Sequence, residues 1–147
     1  SIDNATLDIL EKNKFKYDSS FTPLNLLQLF FFPEKIKTWI NTTFTQQKPH
    51  KIRKNLVEIP TSAFILPLVS MIIRFLPLFL VKALVCLIGI TNNKIILVYT
   101  HSWDFIHLPG SLTNKICNKE KFLNKLDRFL EWASKDYKFI RLEDCRL

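Results

Sequence analysis

Lys94-Ile-Ile-Leu-Val-Tyr-Thr-His-Ser-Trp-Asp-Phe105 is the stretch on which the fold turns. Ile95 to Tyr99 are β-branched, aliphatic or aromatic, with no turn residue among them, and they predict a buried strand. His101 follows just past its carboxyl end, with Trp103 and Asp104 beside it. In parallel α/β sheets and barrels, ligands and catalytic side chains gather at that end of the strands. Spacing alone leaves two readings of His101: a hydrogen-bonded loop histidine, or a residue of a site.

Upstream, Asn92-Asn93 predicts a turn, and residues 63–90 form a strongly apolar run. Arg74 and Lys82 interrupt that run, and Pro67 and Pro77 break its helical continuity. Its uncharged pieces, 61–73, 75–81 and 83–93, are each shorter than the roughly 20 residues of a spanning helix. Helical pieces packed on a sheet account for it better, with Pro77 in the first turn of the second and Cys86 as a small core residue. Leu56-Val-Glu-Ile59, ended by Pro60, predicts another strand, and residues 46–54 a basic, exposed loop. Within 22–45, Phe30-Phe-Phe32 before Pro33 reads as buried or interfacial, and 34–40 as a short helix. Near the start, Ser1 or Asp3 caps a helix over 4–13 with Leu7 and Leu10 inward. Phe15-Lys-Tyr17 forms a short strand, and Asp18-Ser-Ser20 turns away from it.

Downstream, residues 100–115 read as a long loop. Asn118 caps the clearest helix, 119–134, whose Phe122, Leu123, Leu126, Phe129, Leu130 and Ala133 share one face. Residues 138–142 predict a last strand. Strands alternating with helices imply right-handed crossovers and parallel pairing within a single unit, 1–147.

Composition narrows the class. With 48% hydrophobic and 23% charged residues the chain is globular rather than disordered. Its formal charge of +8 comes largely from lysine-rich stretches around 12–16, 48–54 and 115–125. No zinc-finger spacing, Gly-rich loop or arginine cluster accompanies them, so a solvated surface is expected and no nucleic acid as partner. The excess would still attract an anionic polymer or a membrane surface. Three cysteines without a CxxC pair give no disulfide framework, which suits a reducing compartment. Residues 1–16 lack the apolar core of a signal peptide, so the expectation is cytoplasmic. A chain that opens on Ser1, with Met71 its only methionine, reads as processed or as part of something longer.

Four pieces, in order, resemble the polysaccharide deacetylase family (the NodB-homology domain). Ser1-Ile-Asp-Asn-Ala-Thr-Leu-Asp-Ile-Leu10 leading into Phe15-Lys-Tyr-Asp-Ser-Ser20 is similar to that family's helix and strand after its arginine-proline motif. Glu58-Ile-Pro-Thr-Ser62 looks like its Glu-Ile-Pro-x-Ser strand end. Ile73-Arg-Phe-Leu-Pro77 resembles the Phe-Arg-x-x-Pro piece of the subgroup associated with exopolysaccharide export, although that subgroup's preceding glycines are here Ser70-Met-Ile-Ile73. Leu97-Val-Tyr-Thr-His101-Ser-Trp-Asp-Phe105 is similar to the last motif, Leu-x-Leu-x-His continued as His-Pro-Trp-Glu/Asp-Phe.

The resemblance implies an α/β fold: the C-terminal part of a deformed (β/α) barrel, parallel strands with packed helices. It implies a hydrolase of carbon–nitrogen bonds that removes N-acetyl groups from the amino sugars of a polysaccharide, with His101 as the general acid for the departing amine. Leu97 and Tyr99 would wall the acetyl-methyl pocket, Tyr99 standing where the family has leucine. Trp103 would stack on a sugar ring, and Asp104 would orient His101 or bind sugar hydroxyls. Arg74 would reach a carboxylate at the rim, and Asp18 would bond at the floor. Bland readings stand beside each: loop packing for Trp103, loop capping for Asp104, a buried arginine on backbone carbonyls for Arg74, and an Asx turn for Asp18.

In the family a divalent, zinc-type metal is held by motifs that would precede Ser1. With only His50, His101 and His107, and no His-x-x-x-His, this chain offers no three-ligand set, and by itself it is expected to be inactive. Unpaired strand edges would then favour self-association or docking of the missing N-terminal half. The alternative is a non-catalytic interaction or membrane-associated protein that uses its apolar 63–90 segment.

Overall fold

The computed structural model describes residues 3–21, 48–64, 66–91, 95–106 and 118–145. Helix α1 (Asn4–Lys12) starts where the sequence places it. The Asp3 Oδ1 accepts from Thr6 N at 2.8 Å and from Thr6 Oγ1 at 2.7 Å, bonds that hold the Asp3 carboxyl below its ordinary range. At the other end, Lys14 N donates to Glu11 O and Phe15 N to Leu10 O, with Lys14 at φ 60°. This is a Schellman closure, built on lysine where glycine is usual.

Three short strands follow: β1 (Tyr17–Asp18), β2 (His50–Lys51) and β3 (Val57–Glu58). Their order is β1-β3-β2, with β3 parallel to β1 and antiparallel to β2. The basic loop expected over 46–54 thus contributes a strand, and the sheet is mixed rather than wholly parallel. A connection this short can join only antiparallel neighbours. Ile52 N and Arg53 N both turn back onto Leu56 O, and the Arg53 guanidinium meets Asn4 Oδ1 and Asp8 Oδ1, each at 3.2 Å.

Past β3 the chain stays extended and changes neighbours. Ile59 N and Thr61 N donate to Asp18 O and Phe21 O on the β1 edge. Ser62 N, facing the opposite edge, donates to Leu97 O at 3.2 Å, and Ser62 Oγ accepts from Leu97 N at 2.7 Å. The segment 95–99 does not form the buried strand predicted for it: residues 95–98 are half-buried and belong to no ladder, and Tyr99 is exposed. The segment's paired portion is a single parallel bridge, Val69 with Tyr99.

The apolar run folds as α2 (Ser70–Phe75) and α3 (Leu78–Thr91), with Pro77 immediately before α3. Leu80 N and Val81 N both reach Pro77 O, so the proline stands where it has no amide to lose. Helix α4 (Lys119–Ala133) opens on Asn118, whose Oδ1 accepts from Lys121 N at 2.9 Å. Its apolar face closes the core: Phe122 and Phe129 are fully buried against Leu68, Ile73, Val81, Val85 and Ile88. Each buried aromatic of this kind is worth about 2–3 kcal/mol over its exposed state. Lys125 crosses from α4 to donate to Arg74 O (2.7 Å) and Leu76 O (3.1 Å), capping the carbonyl end of α2.

Three further expectations are corrected. Residues 138–140 form no strand: they belong to no ladder, Phe139 is 62% exposed, and a 3-10 turn, Leu142–Asp144, follows. An apolar groove of about 190 Å³ separates this segment from Ile95, Ile96 and Val98. Cys86 is exposed rather than buried, because α3 is apolar on every side and periodicity could not say which face turns inward. Leu130 likewise falls on the outer edge of α4. Phe30–Phe32, the short helix at 34–40, the Asn92-Asn93 turn and His107 lie outside the described residues. Among the described residues no helix is long and apolar enough to cross a membrane.

Candidate functional site

A bridge at Tyr99 hands the chain directly to His101, which opens a 3-10 turn, Ser102–Phe105. Alternation along the extended segment sets Leu97, Tyr99 and His101 on one face and Ile96 and Val98 on the other. The groove described above is lined by Ile96 and Val98 of the second face and by none of Leu97, Tyr99 and His101, so it is not the candidate site.

The imidazole is held from two sides. Tyr99 Oη lies 3.2 Å from Nδ1, and the Trp103 indole stacks on the ring at 4.0 Å between centroids and 16° between planes. Among the described residues Nε2 has no partner. Trp103 is half exposed, with the imidazole covering part of it.

Asp104 does something other than orient the ring. Its Oδ2 accepts the main-chain N–H of His101 at 2.8 Å, which fixes the backbone from which the imidazole projects. Its Oδ1 lies 3.5 Å from Arg74 Nη2, and its carbonyl oxygen accepts from the same nitrogen at 3.2 Å. Arg74 is 5% exposed, with its guanidinium 4.5 Å from the Phe122 ring centroid. It therefore reaches a carboxylate, as the sequence suggests, but inside the fold instead of at a rim. The buried ion pair anchors the histidine turn to α2 and α4.

Leu97 is engaged by its main chain with Ser62. Asp18 belongs to a second cluster, on the β1–β3 side. There it faces Glu58 across the parallel register, and Ser20 Oγ donates to its Oδ1 at 2.8 Å. Glu58 is 4% exposed and accepts Phe21 N at 3.1 Å on Oε1. Burial, aided by the Asp18 charge and a hydrogen bond to Asp18, pushes the Glu58 carboxyl up to about 7, against the opposing Phe21 amide. Asp18 Oδ2 is buried and meets no hydrogen-bond donor among the described residues, and protonation of the neighbouring Glu58 carboxyl would offer one. Sequence reading passed over Glu58 as a titrating group. The available signal was a glutamate inside an otherwise apolar strand, with an aspartate ending the strand that would lie beside it. Among the described residues no hydrogen bond or ion pair joins this pair to the His101 cluster.

His50 is committed to β2, with Nδ1 2.9 Å from Lys48 O. Among the described residues no three His, Cys, Asp or Glu side chains come together to hold a metal ion.

No family model, curated protein or solved structure matches this chain.

Proposed function

We propose that this chain is the C-terminal portion of a metal-dependent polysaccharide deacetylase, and that His101 is its general acid. The barrel reading and the N-acetylated amino-sugar substrate rest on the resemblance of its four motifs. The observation that carries the proposal is the His101 cluster: an imidazole at the carboxyl end of an extended segment, aligned by Tyr99 and stacked on Trp103. Its main chain is pinned by a carboxylate that is itself held by a buried arginine.

A general acid has to keep one proton while it gives up another. In the imidazolium form Nδ1–H donates to Tyr99 Oη, and Nε2–H is the proton passed to the departing amine. Losing it returns a neutral ring still bonded to Tyr99, so the geometry is the same before and after transfer. An imidazole suits this work because its ordinary titration lies near neutrality. Leu97 lies on the same face of the segment and would contact the acetyl methyl. The open part of Trp103 would carry the sugar ring, as indole faces commonly do for apolar sugar surfaces. The metal used by the family would be held by residues outside this chain.

Acetate release from N-acetylated glucosamine oligomers, measured on the parent protein, tests the reading. His101→Asn is expected to lower kcat about a hundredfold or more, and Trp103→Ala to act chiefly on KM. Unchanged kcat in the His101 variant would overturn the assignment. The coding sequence immediately upstream is a separate check: a Thr-Phe-Asp-Asp followed by His-x-x-x-His is expected there, and unrelated sequence would remove the family reading.

A further inference from the structure

Helix α3 presents a solvent face with no polar residue on it. Phe79, Leu80, Ala83, Cys86, Leu87 and Ile90 are all exposed, Phe79 at 69% and Ile90 at 81%. Their spacing of i, i+1, i+4, i+7, i+8 and i+11 makes one continuous stripe, on the side opposite the buried Val81, Leu84, Val85 and Ile88. A helix at the surface of a water-soluble domain normally turns charged residues outward there. Met71 and Phe75 of the preceding α2 are exposed as well.

Charge indicates what covers the stripe. From Ile59 to Trp103 the sequence holds no aspartate or glutamate, while Lys82 and Lys94 are cationic and the whole chain carries +8. Lys82 borders the stripe, one turn from Phe79 and Cys86, with its ammonium 5.3 Å from the Trp132 ring centroid. A lysine and an indole at the edge of an apolar helix face are the side chains that settle at the boundary between acyl chains and headgroups. At 14 residues α3 is about 21 Å long, too short to span a bilayer but long enough to lie along one.

From these observations we infer that the outer face of α3 docks in the interfacial layer of an anionic lipid surface, with Phe79 and Ile90 inserted and Lys82 at headgroup level. Apolar insertion supplies part of the affinity and the chain's positive field the rest, so binding weakens with salt without vanishing.

Sedimentation of the full chain with phosphatidylglycerol–phosphatidylcholine vesicles, against pure phosphatidylcholine vesicles, tests this. About tenfold tighter partition to the anionic vesicles is expected. Phe79→Ser with Ile90→Ser is expected to lower it about tenfold with the circular-dichroism melt unchanged, since both side chains are exposed. Phe79→Trp, which keeps the apolar character, should retain binding and shift its emission to the blue on vesicles. Absence of binding to either vesicle, or equal binding by the serine variant, would overturn the inference. So would a wild-type dimer that the serine variant converts to a monomer, which would make the stripe an interface between copies.

Discussion

Glu58 is the residue at which chemistry and stability meet most directly. Its folded carboxyl titrates at about 7 against an ordinary 4.5, so the folded state holds a proton that the unfolded chain gives up. The stabilisation is complete below about pH 4.5, declines as pH rises toward about 7, and is flat beyond. Glu58→Gln places an amide where the proton was: its oxygen still accepts Phe21 N and its NH2 can serve Asp18. This variant is expected to lose the pH slope and to exceed the wild type by roughly 2–3 kcal/mol at pH 8, read as a melting temperature several degrees higher. A wild-type melt independent of pH between 5 and 8 would contradict the shared proton. Asp104 gives the opposite case. Removing it leaves Arg74 buried without its carboxylate, and Asp104→Ala is expected to cost about 3 kcal/mol in urea unfolding. Pairing Asp104→Leu with Arg74→Met should recover much of that stability, because two apolar groups need no mutual neutralisation.

At the scale of the element, local chemistry and packing can be separated. The N-terminal caps on α1 and α4 follow from Asp3 and Asn118, side chains that satisfy amides no helix can satisfy for itself. The C-terminal closure of α1 runs through Lys14 at φ 60°, a conformation in which a Cβ is strained. Lys14→Gly is expected to stabilise the protein by about 1 kcal/mol, measured by chemical denaturation, and a loss of stability would mean that the lysine side chain makes an unrecognised contact. The misread elements share one cause. Residues 138–140 have the residue types of a strand but no ladder partner among the described residues, and residues 50–51 have the look of a polar loop but lie beside β3. Strand formation is settled by a neighbour that is often distant in sequence.

For the whole molecule, α4 is the clamp. Its aromatic face rests on α2 and α3, its Lys125 caps α2, and Phe122 lies under the Arg74 guanidinium that holds the His101 turn. Phe129→Ala is expected to cost about 3–5 kcal/mol and to broaden the thermal transition, since the cavity would open between three helices at once. A loss below 1 kcal/mol would show that the core collapses onto the space. The amino-acid order by itself determined the positions of α1 and α4, the break at Pro77 and the neighbourhood of His101, Trp103 and Asp104, because caps, proline and 3.6-residue periodicity act within a few residues. Only the tertiary structure decided that β2 joins the sheet, that burial beside Asp18 raises the Glu58 carboxyl, that Arg74 pairs inside the fold, and which side of α3 faces water. Each of those depends on desolvation and contact between segments far apart along the chain, quantities that no local pattern encodes.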